Sequence, residues 1–158
     1  KAANPDAEVM VQYANSFTDS ALGKTIANQM HSKNADIIFT CAGAVGIGAI
    51  EAAKENGKKA IGVDQDQNSL APENVITSAM KNIDVSVEEM LSKVVDGSYK
   101  GGEIIVNTLA MNGVGIPQSS EKNVPPDVLT YVKEEAEKVK SGEVKVPATK
   151  EEFEQLNK

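Results

Sequence analysis

The chain has 158 residues, a formal net charge of −7 and a pI near 4.8, so its surface does not suit nucleic-acid phosphates or anionic membranes. All 16 basic residues are lysines. Because arginine's bidentate guanidinium group is missing, the composition favours a neutral polar ligand over a phosphorylated one. The length suits one ordinary domain with its own core.

A single cysteine and a single histidine limit the chemistry further. Cys41 alone excludes an internal disulfide and a C-x-x-C site, and we expect it to pack as a small hydrophobe. His31 alone provides no histidine pair for zinc, and its position in a predicted helix favours a structural or solvated role. We therefore expect no metal site, no cofactor and no catalytic group.

The first predicted strand covers residues 8–14, where apolar and polar side chains alternate. At its carboxyl end Ser16 or Thr18 can cap the following helix, with Asp19 placed favourably in the first turn. That helix is predicted over residues 20–32. Its buried stripe is predicted to contain Leu22, Ile26 and Met30.

Residues 36–64 form the unit around which the rest of the chain is organised. The predicted elements are a strand over 37–41, a helix over 49–55 and a strand over 59–63. Glycines between the first strand and the helix allow a tight turn and a close approach to a ligand; they are Gly43, Gly46 and Gly48. Asp64 follows the second strand, at the edge where an open α/β sheet binds its ligands.

Two other interpretations of this unit remain open. It can be an ordinary crossover whose glycines serve only packing. It can also be a dinucleotide site, because Asp64 lies about 20 residues beyond the glycine turn, as in a Rossmann fold. The glycine order differs from G-x-G-x-x-G, which makes the dinucleotide site the weaker candidate. A calcium loop over residues 64–68 and a phosphoryl-receiver site both lack required residues.

The remaining elements follow in order. A strand is predicted over 75–80, with Lys81 and Asn82 at its carboxyl end. Asp84 is predicted to cap a helix that ends at Val95. The later predictions are an extended, glycine-punctuated segment over 103–117, a helix over 127–140, and a short terminal helix opened by a Thr149–Glu152 capping box.

The carboxyl ends of the predicted parallel strands open on one edge of the sheet. That edge gathers polar side chains and glycine backbone, which together are typical of a ligand site. The loops concerned are residues 15–19, 42–46, 64–67 and 81–82. Asp64 and Lys81 can also form a purely structural ion pair there.

A series of motifs along the chain resembles the basic membrane protein family, which comprises extracytoplasmic substrate-binding lipoproteins of ABC importers similar to purine nucleoside receptors. The motifs cover nearly the whole chain, and their order makes the resemblance specific. They are Tyr13 with residues 15–19, residues 34–39, Ala42 with Gly43 and Gly46, residues 60–67, Lys81 with Asn82 and Asp84, and residues 113–115.

The resemblance implies a fold and a site. The fold is α/β: a Rossmann-like lobe of the periplasmic-binding-protein type I class, with a parallel sheet and helices on both faces. The ligand implied is a purine nucleoside or a similar ribose-containing molecule, bound between two lobes without catalysis. The implied ligand-binding residues are Asp64 and Lys81 at the ribose hydroxyls, with Gly43, Ala42, Phe17 and Asp19 around them.

The resemblance also implies that this chain is the C-terminal portion of a receptor about twice its length. Residues 84–100 are then expected to pack with the missing first lobe. The parent protein is expected to be extracytoplasmic, lipid-anchored, and partnered by ABC permease subunits. The isolated chain is expected either to fold the helix over 84–95 back onto its own sheet or to bury it in a dimer, with or without a swap of elements. The alternative function is a fragment of an NAD-dependent oxidoreductase that uses Asp64 on the cofactor ribose.

Overall fold

The structure is a computed structural model that describes residues 3–156, and these residues divide into two compact units. The first unit contains the residues up to Lys81 together with Ile116–Asn123. The second contains Asn82–Gly115 and the residues from Val124 onward. In chain order the elements are α1 (Ser20–Ser32), β1 (Ile37–Phe39), α2 (Val45–Glu55), β2 (Lys59–Asp64), β3 (Val75–Lys81), α3 (Ile83–Val95), β4 (Val114–Gly115), α4 (Ser120–Asn123), α5 (Pro126–Ser141) and α6 (Lys150–Leu156).

The first unit is built on a parallel sheet in which β1, β2 and β3 lie side by side in that order. Phe39 of β1 lies opposite Ile61 of β2, and Asp64 of β2 lies opposite Met80 of β3. Since parallel strands need a crossover between them, α2 connects β1 to β2. The α/β fold class is thereby confirmed, and the carboxyl ends of all three strands reach the same edge of the sheet.

Small apolar side chains form the core of the first unit. One buried cluster contains Ile50 and Ala53 of α2, Ala60 of β2, Val75 of β3 and Ala71. The other joins α1, β1 and α2 through Ala27, Ile38, Ala49 and Ala52, with Met30 packed against it. Alanine predominates because the helices lie close to the sheet and to each other, so larger side chains do not fit.

Two glycines allow the close contact between α1 and α2. A Cβ atom on Gly48 would lie 1.8 Å from the carbonyl oxygen of Ser20, and one on Gly23 would lie 2.0 Å from that of Val45. Neither distance is sterically possible for a carbon side chain. Each helix therefore needs a glycine where the backbone of the other passes over it.

The contact with α2 also fixes which face of α1 is buried. The fully buried positions are Gly23, Ala27 and His31, while the predicted stripe of Leu22, Ile26 and Met30 is only half-buried. The sequence predicted a structural or solvated role for His31. The role is structural, since Nδ1 lies 3.0 Å from the carbonyl oxygen of Ala35 and donates to it. The prediction for α1 is right in its bounds and one position off in its buried face.

The predicted strand over residues 8–14 is wrong, because this segment joins no strand ladder in the described part of the chain. A cavity of about 450 Å³ separates it from β1 and α1. Val9, Val11 and Tyr13 are largely exposed. Alternation of apolar residues makes a strand possible, but a strand forms only where a neighbour pairs with its backbone.

Two helix beginnings differ from the prediction. α2 begins at Val45, so Gly46 and Gly48 lie inside the helix and only Gly43, with φ +57°, forms the turn. α3 begins at Ile83 after Asn82, and Asp84 lies within the first turn instead of capping it. A carboxylate in that turn still interacts favourably with the positive end of the helix dipole.

The second unit consists mainly of α3, α5 and α6. α5 starts with Pro126, ends before Gly142 at φ +79°, and buries Leu129. α6 starts as predicted, since the Glu152 N–H donates to the Thr149 hydroxyl at 3.2 Å. The segment predicted as extended instead contains a 3-10 turn at Leu109–Met111 before β4.

Candidate functional site

The carboxyl ends of β1, β2 and β3 place an acid and a base side by side. Lys81 Nζ lies 2.8 Å from Asp64 Oδ1, and about half of the Asp64 side chain and two thirds of the Lys81 side chain remain exposed, at 49% and 66%. The hydrogen bond with Asp64, followed by its negative charge, raises the pKa of Lys81 above the ordinary value. Because exposed ion pairs contribute little to stability, the fold does not depend on this pair.

Asp64 has a left-handed backbone conformation, with φ at +68°. This conformation is uncommon for residues other than glycine, and aspartate is among those that tolerate it. The backbone turns sharply here, since the Gln65 N–H donates to the Val63 carbonyl oxygen at 2.8 Å. The carboxylate is thereby carried by the central residue of a hydrogen-bonded turn at the end of β2.

Buried polar side chains support this turn from below. Gln67 Oε1 accepts a hydrogen bond from the Val63 N–H at 2.9 Å, and the Gln67 N–H donates to the Ser78 hydroxyl at 3.1 Å. Gln67 and Ser78 are both buried. The sequence indicated Asp64 and Lys81 but not these two residues, because a buried glutamine cannot be distinguished from an exposed one by residue type.

Cys41 lies close enough to the ion pair to sense both charges. Partial desolvation, and then the Asp64 carboxylate, raise the pKa of the Cys41 thiol, while Lys81 opposes them. The side chain is exposed, so the prediction that it packs as a small hydrophobe is wrong. β1 ends at Phe39, two residues earlier than predicted, which leaves Cys41 beyond the covered strand.

The turn after β1 is joined to the segment before α1. The Ala44 N–H donates to the Phe17 carbonyl oxygen at 2.9 Å. A Cβ atom on Gly43 would lie 3.0 Å from the same oxygen, so a side chain there would crowd the contact. Ala42 is half-buried, and its N–H donates to Thr40 O at 2.9 Å. Phe17 itself is 76% exposed.

Asp19 is the N-cap of α1, a role that the sequence analysis assigned to Ser16 or Thr18. Its Oδ1 accepts a hydrogen bond from the Leu22 N–H at 2.9 Å. Ser16 instead accepts from the N–H groups of Thr18 and Asp19, both at 3.2 Å. One oxygen of Asp19 is thus committed to the helix.

Among residues 3–156, no three histidine, cysteine, aspartate or glutamate side chains are arranged to hold a metal ion. No helix in that same range has the length and apolar character needed to cross a membrane.

The sequence of this chain matches a known protein family. The family model described as "ABC transporter substrate-binding protein PnrA-like" (Bmp) matches residues 1–150. Basic membrane protein B of Borreliella burgdorferi is 39% identical over 158 residues, which are 98% of this chain and 44% of that protein. The CD4+ T-cell-stimulating antigen of Listeria monocytogenes is 37% identical over 163 residues, covering 93% of this chain and 45% of the antigen.

Solved structures agree with the sequence relatives. The structure of an ABC transporter solute-binding protein from Aeropyrum pernix K1 superposes with a TM-score of 0.80 and 26% identity, over 94% of this chain and 50% of that one. The chain spans less than half the length of the two curated relatives above. It belongs to the Bmp family of ABC transporter substrate-binding proteins.

Proposed function

We propose that this chain is the C-terminal portion of a two-lobed receptor that binds a purine nucleoside, or a similar ribose-containing ligand, for an ABC importer. The observation that carries the proposal is the exposed Asp64–Lys81 pair at the carboxyl edge of the sheet, 2.8 Å apart. Edges of this kind are where open α/β sheets bind ligands. The family to which the chain belongs supports the receptor class.

A vicinal diol suits this pair chemically. Each Asp64 carboxylate oxygen has two lone pairs, and the Lys81 ammonium has three N–H donors. Two sugar hydroxyls can therefore donate to Asp64 while Lys81 donates to a sugar oxygen, without breaking the ion pair. A neutral sugar also agrees with a chain that lacks arginine.

The neighbouring residues would complete the sugar and base contacts. Ala42 and Gly43 would bring backbone close to the sugar, since the turn at Gly43 leaves no room for a side chain. The exposed Phe17 ring offers an apolar face to a flat purine base. The second oxygen of Asp19 would accept a hydrogen bond from the ligand at the same edge.

The oxidoreductase alternative is not favoured. Dinucleotide sites bind pyrophosphate with free N–H groups at a helix N-terminus. At the start of α2 the N–H groups of Ala44, Gly46 and Ile47 already donate to protein carbonyl oxygens, at 2.9 to 3.1 Å. The family is one of transport receptors and not of enzymes.

In this proposal the receptor is extracytoplasmic and anchored by a lipid. It closes by hinge motion and delivers its ligand to permease subunits. A thermal-shift panel on the complete receptor tests the ligand class with purine nucleosides, 2′-deoxynucleosides, free bases and NAD. Purine ribonucleosides are expected to give the largest rise in Tm. A rise with NAD alone would support the oxidoreductase instead.

A further inference from the structure

We propose that Gln67 is a positioning residue for the Asp64–Lys81 pair: from its buried place beneath the end of β2 it fixes the turn that presents the Asp64 carboxylate. Its relevance to the ligand rests on the function proposed above. Its relevance to the ion pair does not, because it follows from hydrogen bonds within the first unit.

Gln67 supplies a hydrogen-bond acceptor at a point where β2 continues beyond the end of β1. On β2, the Lys59 N–H and the Ile61 carbonyl group hydrogen bond toward β1. Backbone groups alternate sides along a strand, so the Val63 N–H points to the same side as these two. The β1–β2 register stops at Ile61, which leaves Val63 without a partner strand there. Gln67 Oε1 accepts from the Val63 N–H at 2.9 Å and replaces the missing strand.

Ser78 holds Gln67 in place from the neighbouring strand. Its hydroxyl accepts a hydrogen bond from the Gln67 N–H at 3.1 Å. Gln67 is 7% exposed and Ser78 is fully buried. Ser78 lies three residues before Lys81, and Gln67 lies three residues after Asp64. The two hydrogen bonds therefore tie together the strand ends that carry the two members of the ion pair.

Gly62 makes room for this arrangement. A Cβ atom there would lie 2.6 Å from the Ser78 hydroxyl oxygen and 2.7 Å from Gln67 Oε1. Glycine inside a strand often marks a place where other groups approach the backbone closely. Here the groups that approach are the two polar side chains, and we name Gly62, Gln67 and Ser78 the polar brace.

The brace accounts for the unusual backbone of Asp64. A residue other than glycine stays in the left-handed region only when its surroundings hold it there. The residue before Asp64 is held through its N–H by Gln67 Oε1, and the chain after Asp64 is held by the hydrogen bond from the Gln67 N–H to the Ser78 hydroxyl. Without the acceptor on Gln67, the buried Val63 N–H loses its partner and the turn is free to change.

The first test uses Gln67→Met in this chain, a change that keeps the side-chain length and removes the acceptor. The readout is the pKa of Lys81, from an NMR titration of lysines labelled with ¹³C at Cε. Asp64 raises this pKa, so we expect it to fall toward the ordinary value. In the complete receptor, nucleoside affinity is expected to fall about tenfold, the effect of about one neutral hydrogen bond.

Asn74→Leu is the matched control. The Asn74 side-chain amide donates to the Lys58 carbonyl oxygen at 2.8 Å, at the opposite end of β2. Its loss is expected to lower the Tm and leave both the pKa of Lys81 and the affinity unchanged. If Gln67→Met lowers the Tm in the same way and leaves both readouts at their wild-type values, Gln67 only stabilises the fold and the proposal is wrong.

Ser78→Ala keeps the test decisive if Gln67→Met does not fold, because it removes one of the two hydrogen bonds. We expect the pKa of Lys81 to fall in this variant too, but by less. A pKa of Lys81 equal to the wild-type value would overturn the proposal. If Gln67→Met lowers the pKa of Lys81 but no nucleoside binds the wild-type receptor, the proposed ligand is wrong and the positioning role of Gln67 stands.

Discussion

At the scale of single residues, Asp64 and Lys81 satisfy each other while they remain accessible. Their 2.8 Å contact occupies one carboxylate oxygen and leaves the other open. A ligand hydroxyl can therefore donate to the second oxygen of Asp64 without displacing Lys81. The hydrogen bond to the ligand then replaces the water that the carboxylate loses on binding. What distinguishes the pair is its place at the carboxyl edge of the sheet, whereas the contacts of Lys24 with Glu51 and Glu55 connect α1 to α2.

Lys81→Met tests the contribution of the base. The substitution keeps most of the aliphatic stem and removes the ammonium group, so the sugar loses a donor and Asp64 loses the group that orients it. We expect nucleoside affinity in the complete receptor to fall about tenfold or more, as measured by calorimetry. Lys59→Met is the control, because Lys59 is the first residue of β2, at the opposite edge of the sheet, and its ammonium group donates to the Glu73 carbonyl oxygen. Equal affinity for Lys81→Met and wild type would make Lys81 a surface charge only.

The sequence correctly predicted that Asp64 and Lys81 lie at the carboxyl edge of the sheet, because polar residues directly after apolar strands mark that edge. It did not identify Gln67, whose role depends on β1 ending two residues before the level of Val63. The exposure of Cys41 depends on the same early end of β1. Strand lengths are set by tertiary pairing, so these two roles could not be obtained from local pattern alone.

At the scale of elements, the α1–α2 contact determines the architecture of the first unit. Helix backbones approach this closely only where glycine replaces a side chain, and each helix contributes one such position. Gly48 costs helix propensity in α2, by about 1 kcal/mol relative to alanine. The close packing of α1 over α2 compensates for that cost.

Gly48→Ala tests this explanation. Although alanine is the better helix former, its Cβ atom would lie 1.8 Å from the Ser20 carbonyl oxygen, so the two helices must move apart. We expect a loss of about 2 kcal/mol or more in the free energy of unfolding, the usual size of overpacking effects. Gly115→Ala is the control, since no atom lies within 4 Å of the added carbon. A chemical-denaturation midpoint unchanged or raised in Gly48→Ala would contradict the explanation.

The sequence predicted the bounds of a helix correctly where the residues at its ends are typical of helix ends. α1 ends at Ser32 as predicted, before Lys33 and Asn34, and Asn34 adopts a positive φ of 70°. The beginning of α2 was missed because two glycines resemble a turn, although both are needed for packing. The predicted strand over residues 8–14 was wrong for the opposite reason: its pattern is regular, but its backbone has no partner in the described residues.

At the scale of the whole molecule, α3 carries an apolar face that its own unit does not bury. Val87, Leu91 and Val94 are each more than half exposed, and no residue of α3 is buried. Apolar stripes of this kind mark surfaces that contact another protein or domain. Relatives are about twice the length of this chain, so we propose that the remainder of the receptor covers this face.

The isolated chain is therefore expected to self-associate through α3. Light scattering should show a mass above that of the monomer that falls on dilution, and Leu91→Lys should shift the chain toward monomer. Val128→Lys, on the exposed surface of α5, is the control and should leave the association unchanged. A strictly monomeric wild-type chain at high concentration would contradict this expectation.

The central claim is that the carboxyl edge of the sheet binds a ribose-containing ligand through Asp64. Titration calorimetry of a purine nucleoside into the complete receptor tests it most directly, with Asp64→Ala compared with Asp66→Ala. Asp66 is also acidic, but its Oδ1 accepts a hydrogen bond from the Asn68 N–H at 3.0 Å, within its own turn. We predict that Asp64→Ala weakens binding by about 10- to 100-fold, as expected for lost hydrogen bonds to a charged group, and that Asp66→Ala binds like wild type. Equal losses in both variants, or none in either, would contradict the claim.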